Sequence, residues 1–320
     1  MNMQQQIWLV GAGRMGLSYA KVLATLGKPF VAIGRGEASA RAFHQETGAE
    51  CRPGGVIAAL TASAAPSSAI VAIDIPELGA VAEQLMQAGC RHILLEKPGG
   101  TDEATLARIS AMAHETGTDV RVAYNRRFYE SVRQARQGLQ EDGGAVSMTF
   151  NFTESSDAIV KIGYPQDVLD NWLLANSTHV IDTAFHLAGE PDEWTPHVYG
   201  SLPWHPTAAR FQGGGLTRDG VMFSYAADWD APGGWAVEIA SRSRRFILKP
   251  MERLAIQQRG SFVIEYLDSA DATDGHKPGL LRMTRAFLTG EDATDLPDIH
   301  EHLSRTRAIY GPMAGKSSGA

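Results

Sequence analysis

Ile7-Trp8-Leu9-Val10-Gly11-Ala12-Gly13-Arg14-Met15-Gly16 is an apolar run that breaks into three glycines spaced Gly-x-Gly-x-x-Gly and then continues with helical spacing. Such a pattern alone is a weak signal, but one that follows a strand and opens a helix points to a dinucleotide site. In that setting Gly11 permits the tight turn, Gly13 lets the backbone approach a pyrophosphate, and Gly16 lets the helix pack closely on the strand. Ala12, Arg14 and Met15 complete the loop, whose helix N-terminal amides face the anion.

Outward from this loop, short apolar runs alternate with helix-periodic segments, the pattern of βαβ units feeding a parallel sheet. The spacing predicts strands over 7–10, 30–33, 69–73, 92–95 and 120–123, and helices over 16–26, 38–47, 78–88 and 102–115. Beyond Arg127 the texture changes to alternating strand patterns over 146–152, 220–229, 235–241 and 255–258, with one helix over 178–188 that Gly189 and Pro191 close. Helices over 280–288 and 299–310 follow, and the tail from 315 to 320 is expected to be disordered. The predicted fold class is α/β: a doubly wound Rossmann domain over 1–123, then an α+β domain with an open-faced, mostly antiparallel sheet over 124–320.

Composition bounds the partners. With 320 residues, 44% hydrophobic, and a formal net charge of −7, the chain can bury two cores and has no overall charge to attract nucleic acid or an anionic membrane. Residues 1–6 pass straight into a strand-like run, so no signal peptide is expected, and no apolar run approaches the roughly 20 residues of a membrane span. The two cysteines, Cys51 and Cys90, suggest neither a disulfide framework nor a thiolate metal site. A cytoplasmic enzyme is expected.

The second strand sharpens the cofactor. An acid at its end would bind a free ribose 2′-hydroxyl, but here 30–33 runs into Gly34-Arg35-Gly36. Arg35 can pair with a 2′-phosphate in forked geometry and stack on adenine, so NADP(H) is preferred, with NAD(H) as the alternative if Glu37 makes the ribose contact. Glu96-Lys97-Pro98 follows the fourth strand, at the carboxyl edge where ligands bind in open α/β sheets. Glu96 and Lys97 therefore face the cofactor, and the Lys97 ammonium can polarise a substrate oxygen, although a lysine in a loop needs more context than this.

Taken together, the glycine loop, Glu96-Lys97-Pro98 and Tyr124-Asn125-Arg126-Arg127-Phe128, followed by an antiparallel second half, resemble the Gfo/Idh/MocA oxidoreductases. The resemblance implies hydride transfer on sugars, cyclitols or related carbonyls. It also implies a frequently cis bond before the proline, and a homodimer or homotetramer built through the C-terminal sheet. It makes Lys97 catalytic, with His179 as its acid/base partner on the 178–188 helix. The polyol dehydrogenases of the family carry Asp-x-x-x-His there; this chain has Ala175 four residues before His179, and Asn176 one step later. After the third strand Ile73-Asp74-Ile75-Pro76 replaces the family's usual Thr-Pro, and Ala80 stands in place of a histidine, leaving Asp74 or backbone groups for the nicotinamide-side contacts.

Asn176 or Ser177 is a plausible cap for the histidine helix, and Asp182, one turn from His179, can orient it or meet substrate. Tyr124, Asn125, Arg127, Asn171 and Trp172 are the other candidate substrate contacts. His179, Asp182 and His186 share a face, but the two histidines stand two turns, about 10 Å, apart, so no metal site is expected. The expected activity is an NADP-dependent oxidoreductase acting on a secondary alcohol or ketone of a sugar, cyclitol or nucleotide-sugar. The alternatives are a reductase of a non-sugar carbonyl or imine, and a non-catalytic NAD(P)-sensing regulator.

Overall fold

The computed structural model describes residues 6–268 and 275–316. The chain forms two compact units, residues 1–124 with 274–304, and residues 125–273 with 305–320. The first therefore takes back a C-terminal segment that the sequence places wholly beyond its boundary at 123.

In the first unit β1 (Ile7–Val10), α1 (Arg14–Thr25), β2 (Phe30–Ile33), α2 (Glu37–Thr47), β3 (Cys51–Arg52) and α3 (Gly55–Ala62) form one half. The other half is β4 (Ser68–Val71), α4 (Ile75–Gln87), β5 (His92–Leu95), α5 (Glu103–Thr116) and β6 (Asp119–Val122). The six strands are parallel in the order β3-β2-β1-β4-β5-β6, the doubly wound dinucleotide-binding order. Helices cover both faces of such a sheet, so its central strands read as near-continuous apolar runs. All four residues of β1 are buried accordingly. The predicted strands and helices are present within a few residues of their expected bounds, while β3 and α3 are additional. Among the described residues, no helix is long and apolar enough to cross a membrane.

The second unit holds α6 (Glu130–Glu141), β7 (Ser147–Phe152), α7 (Ser156–Ile162), α8 (Gln166–Asp170), α9 (Thr178–Ala188), β8 (Pro191–Tyr199), β9 (Arg210–Thr217), β10 (Met222–Asp228), β11 (Trp235–Ala240), β12 (Arg244–Leu248), β13 (Ala255–Gln258) and β14 (Ile264–Tyr266). Its sheet runs β14-β13-β12-β11-β7-β10-β9-β8, antiparallel except between β7 and β10. Along β10 the buried Phe223, Tyr225 and Ala227 alternate with the exposed Met222, Ser224 and Ala226, so one face is covered and the other open. The covered face packs Phe150 against Phe185 and Tyr225, with centroids 5.6 and 5.4 Å apart.

Two of these strands run through residues that read as breakers. Pro191 opens β8 rather than merely ending the helix, and Pro196 lies inside it, tolerable because β8 is an edge strand. Gly213, Gly214 and Gly215 lie within β9 because neighbouring side chains and backbone fill the space over them. A Cβ on Gly213 would meet Tyr225 Oη at 2.6 Å, and one on Gly215 would meet the Trp194 Cβ at 2.5 Å.

Beyond β14, α10 (Leu280–Thr289) packs on α1 in the first unit, burying Leu280, Met283 and Ala286. The predicted 299–310 helix begins as α11 (Ile299–Arg305) and continues through a π turn, Thr306–Tyr310, into α12 (Gly311–Met313). Of the tail expected to be disordered, residues 317–320 lie outside the described residues; Lys316 Nζ donates to Asn171 Oδ1 at 2.5 Å.

Candidate active site

The glycine loop is shaped by what each glycine lacks. Gly11 has φ +119°, and a Cβ there would lie 2.1 Å from the Ala72 carbonyl oxygen; one on Gly16 would lie 2.0 Å from the Gly11 oxygen. Both positions are closed by backbone. Gly13 differs: a Cβ there would meet nothing within 4 Å, so the space above it is open. Gly13 is also the N-cap of α1, no side chain caps the helix, and its first turn holds no acid. Unsatisfied amides opening on an unfilled cradle fit a pyrophosphate. Ala12 and Gly34 line the adjacent turn, their Cβ positions 3.4 Å apart, while Arg14 is exposed.

Arg35, after β2, is exposed and pairs with Glu77 and with Asp74 Oδ2, the latter at 3.2 Å. Asp74, expected on the nicotinamide side, is thus a partner of Arg35 at the start of α4. Both bind over strand ends, and their spacing in sequence hid the pairing.

At the end of β5, Lys97–Pro98 is a cis peptide. Glu96 accepts a hydrogen bond from Tyr19 Oη at 2.7 Å. Burial pushes the Glu96 carboxyl up, opposed by the Tyr19 hydrogen bond and by the charges of Lys97 and Lys277. Glu96 is therefore tied to α1 rather than held out for the cofactor. Pro98 is held through its carbonyl, 2.8 Å from His302 Nε2. A carbonyl only accepts, so Nε2 carries the proton, and in a neutral ring Nδ1 then accepts from Tyr124 Oη at 3.4 Å. Tyr124 is 1% exposed with its ring 5.5 Å from His302, which places it behind the lysine turn and corrects its expected role as a substrate contact. His302 and Lys277, about 200 residues later in the chain, carry no local motif that would have revealed them.

In the second unit His179 lies in the first turn of α9, its ring 6.0 Å from that of Trp235. Arg126 also lies against this indole, its guanidinium carbon 4.6 Å from the Trp235 centroid and its Nε buried without a hydrogen-bond partner. Burial holds the Arg126 pKa below its ordinary value, against the opposing influence of Tyr129, Glu252 and Glu154. Neither Asn176 nor Ser177 caps α9, because the π turn Leu173–Ser177 already carries helical backbone into it. Their side chains instead donate to Glu154: Asn176 Nδ2 at 3.1 Å to each oxygen and Ser177 Oγ at 2.7 Å.

Asp182 does not orient His179, nor do Asp182 and Arg127 reach outward to a substrate. Arg127 Nε and Nη2 donate to Asp182 Oδ2 and Oδ1, both at 2.7 Å, and Arg305 Nη1 adds a third bond to Oδ1 at 2.7 Å. The carboxylate is 1% exposed and Arg127 3%. Burial alone would raise the Asp182 pKa, but the two guanidinium groups bring it down to about 2. His186 on the same helix is pushed down to about 3 by burial and by the Arg127 charge, against the opposing Asp182. The cause is topological: one helix face meets cations from both ends of the unit's sequence.

Trp172 is 5% exposed and packs against Tyr164 and Trp204, with centroids 5.0 and 6.2 Å away, as a core tryptophan. Asn171 donates to the Asp167 carbonyl at 2.9 Å and accepts from Lys316. Asn125 opens a 3-10 turn, Asn125–Phe128, that carries Arg126 and Arg127 to their places. The described residues contain no group of three or more His, Cys, Asp or Glu that could hold a metal ion.

Residues 6–124 match the model of an oxidoreductase family with an NAD-binding Rossmann fold, Gfo/Idh/MocA. A search of curated proteins finds no match. Similar solved structures include an oxidoreductase from Agrobacterium radiobacter in complex with NAD+, L-tartaric acid and magnesium, at TM-score 0.79 and 12% identity over 96% of this chain and 94% of that one. A UDP-N-acetylglucosamine 3-dehydrogenase from Acidithiobacillus ferrooxidans matches at TM-score 0.72 and 18% identity, over 98% of each chain. Levoglucosan dehydrogenase in complex with NADH and levoglucosan matches at TM-score 0.75 and 15% identity, over 98% and 97%. At these identities the likeness is one of fold.

Proposed function

We propose that the chain, whose nucleotide-binding unit matches the Gfo/Idh/MocA family model over residues 6–124, is an NADP-preferring oxidoreductase acting on a secondary alcohol or ketone of a sugar-like substrate. The observation that carries this reading is the open cradle over Gly13 at the uncapped start of α1. Gly11 to Gly16, Ala12 and Gly34 would hold the dinucleotide, which supplies a hydride donor or acceptor when bound. Lys97 polarises the reacting oxygen and steadies the alkoxide. His179 takes the hydroxyl proton in the oxidative direction and returns it in the reductive one. The Trp235 face suits the apolar side of a sugar ring, and the Arg126 guanidinium stacked on it suits a polar or anionic substituent.

Arg35 supports the cofactor preference despite its two carboxylate partners. Its side chain is 69% exposed, and ion pairs this exposed contribute about 0–1 kcal/mol, so a 2′-phosphate dianion can displace them. Asp74 and Glu77 favour NAD(H) instead if they keep the guanidinium neutralised. The ratio of kcat/KM for the two cofactors, in wild type and Arg35→Ala, separates these outcomes; an NAD preference indifferent to the substitution overturns NADP. The exposed face of the eight-stranded sheet supports homo-oligomerisation through it, as the family resemblance implies.

Single-turnover hydride transfer tests the chemistry. Lys97→Met and His179→Ala are each expected to slow it by about a hundred- to ten-thousand-fold, the usual worth of acid–base help. Near-normal rates in both variants would remove the proposed mechanism, and dinucleotide binding without turnover on any sugar or nucleotide-sugar would favour a sensor.

A further inference from the structure

Residues 275–304 belong to the same compact unit as the glycine loop. His276 Nε2 lies 3.0 Å from Thr25 Oγ1, in the last turn of α1, and α10 packs on that helix. The next residue, Lys277, extends its ammonium to Met15 Sδ at 3.0 Å. Met15 is one of the two residues between Gly13 and Gly16, at the start of α1.

A thioether is a weak acceptor, and an ammonium has three protons to donate. Lys277 nonetheless has no other hydrogen bond and no ion pair within 4.0 Å among the described residues. Its charge is also felt at Glu96, which precedes Lys97 at the end of β5. An exposed cation is therefore held at the phosphate-binding loop, near enough for its charge to be felt at Glu96 beside the Lys97 turn, by contacts that cost little to exchange.

We infer that Lys277 is a phosphate ligand of the dinucleotide site, its ammonium leaving the Met15 thioether for the pyrophosphate on the nicotinamide side. This rests on the reading of the cradle as a dinucleotide site. Lys277 thereby serves the phosphates that NAD(H) and NADP(H) share, whereas Arg35 is assigned to the 2′-phosphate that distinguishes them. The two cations divide affinity from selectivity.

Equilibrium titration of protein fluorescence with NADPH, NADH, ADP-ribose and 2′,5′-ADP tests the division in wild type, Lys277→Gln, Lys277→Arg and Arg35→Ala. Lys277→Gln is expected to weaken NADPH, NADH and ADP-ribose by a common factor of about 5- to 10-fold, the loss of one charge-assisted bond near solvent. Its Kd values should also rise less steeply with salt than those of wild type. Binding of 2′,5′-ADP, which lacks the nicotinamide-side phosphate, should be little changed, and Lys277→Arg should restore most of the loss. Unaltered dinucleotide Kd values in Lys277→Gln, or a loss confined to the 2′-phosphorylated ligands, would overturn the inference while leaving the cradle intact. Wild type that binds none of the dinucleotides would overturn the cradle reading and the inference with it. An unchanged Tm for Lys277→Gln checks that the exposed substitution leaves the fold alone.

Discussion

The glycine loop of the first unit and the histidine helix of the second solve the problem of holding a polar site by opposite means. The loop is built from backbone, with two glycines sealed against carbonyl oxygens and the third facing open space. The helix is built from side chains, with Asp182 gripped by Arg127 and Arg305 in a buried cluster. A backbone cradle fails by steric intrusion at particular positions. A buried ionic cluster fails by losing one partner and leaving the other charge stranded.

The largest expected effect belongs to the cluster. Arg127→Met leaves Asp182 buried with one fewer cation, and removing a partner from a buried pair costs about 3–5 kcal/mol, read by denaturant unfolding. Adding Asp182→Asn should recover part of that loss, because the stranded charge disappears with it. A cost under about 1 kcal/mol would place the pair among surface-like contacts and erase the contrast.

Gly16→Ala comes next, at about 1–3 kcal/mol, since its Cβ would be driven into the Gly11 carbonyl, and dinucleotide binding should fall with stability. A stable, fully binding variant would show that the loop yields where it is drawn as rigid.

The third effect is a pH slope carried by His186. In the folded unit its imidazole stays neutral down to about pH 3, whereas in the unfolded chain it protonates near its ordinary value of about 6.5. Between those values the unfolded state holds the extra proton, so stability falls as pH falls through the window, by less than about 1.4 kcal/mol per pH unit. His186→Gln should flatten that slope in unfolding measured from pH 7 to 4; an unchanged slope assigns it to other groups.

Gly13→Ala is the smallest perturbation of the fold. Its Cβ would enter open space and its φ of −89° suits alanine, so stability should fall only by the N-cap preference of glycine over alanine, about 0.5–1 kcal/mol. Pyrophosphate binding should nonetheless weaken, and that separation of binding from stability is the signature of a cradle. Equal losses in Gly13→Ala and Gly16→Ala would make the loop a purely structural turn.

The same contrast explains what could be read from sequence. Gly11, Gly13 and Gly16 were legible because strand, turn and helix are contiguous, as were the apolar strands of the first sheet. Lys97 and His179 entered as candidates only through a resemblance spanning several motifs. The partners of Asp182 were not, because Arg127 lies 55 residues before it and Arg305 lies 123 after. Spacing within a helix suggests that Asp182 faces His179, and only the tertiary packing shows the stronger charges waiting on its other side. Trp235, Arg126 and Glu154 escaped for the same reason, and β9 because a glycine tract signals a turn unless the aromatic rings that fill its place are known.

The return of residues 275–304 to the first unit also sets an order of events during synthesis. Val122 in β6 donates to the Pro297 carbonyl at 2.9 Å, Arg121 bridges to Asp298, and His302 secures Pro98. At elongation rates of about 5–20 residues per second, a ribosome needs roughly ten to thirty seconds to pass from Tyr124 to those residues. Throughout that interval the nascent dinucleotide-binding half has an unfinished sheet edge and an unbraced lysine turn. The half of the protein that is translated first thus waits almost to the end of synthesis for its last segment.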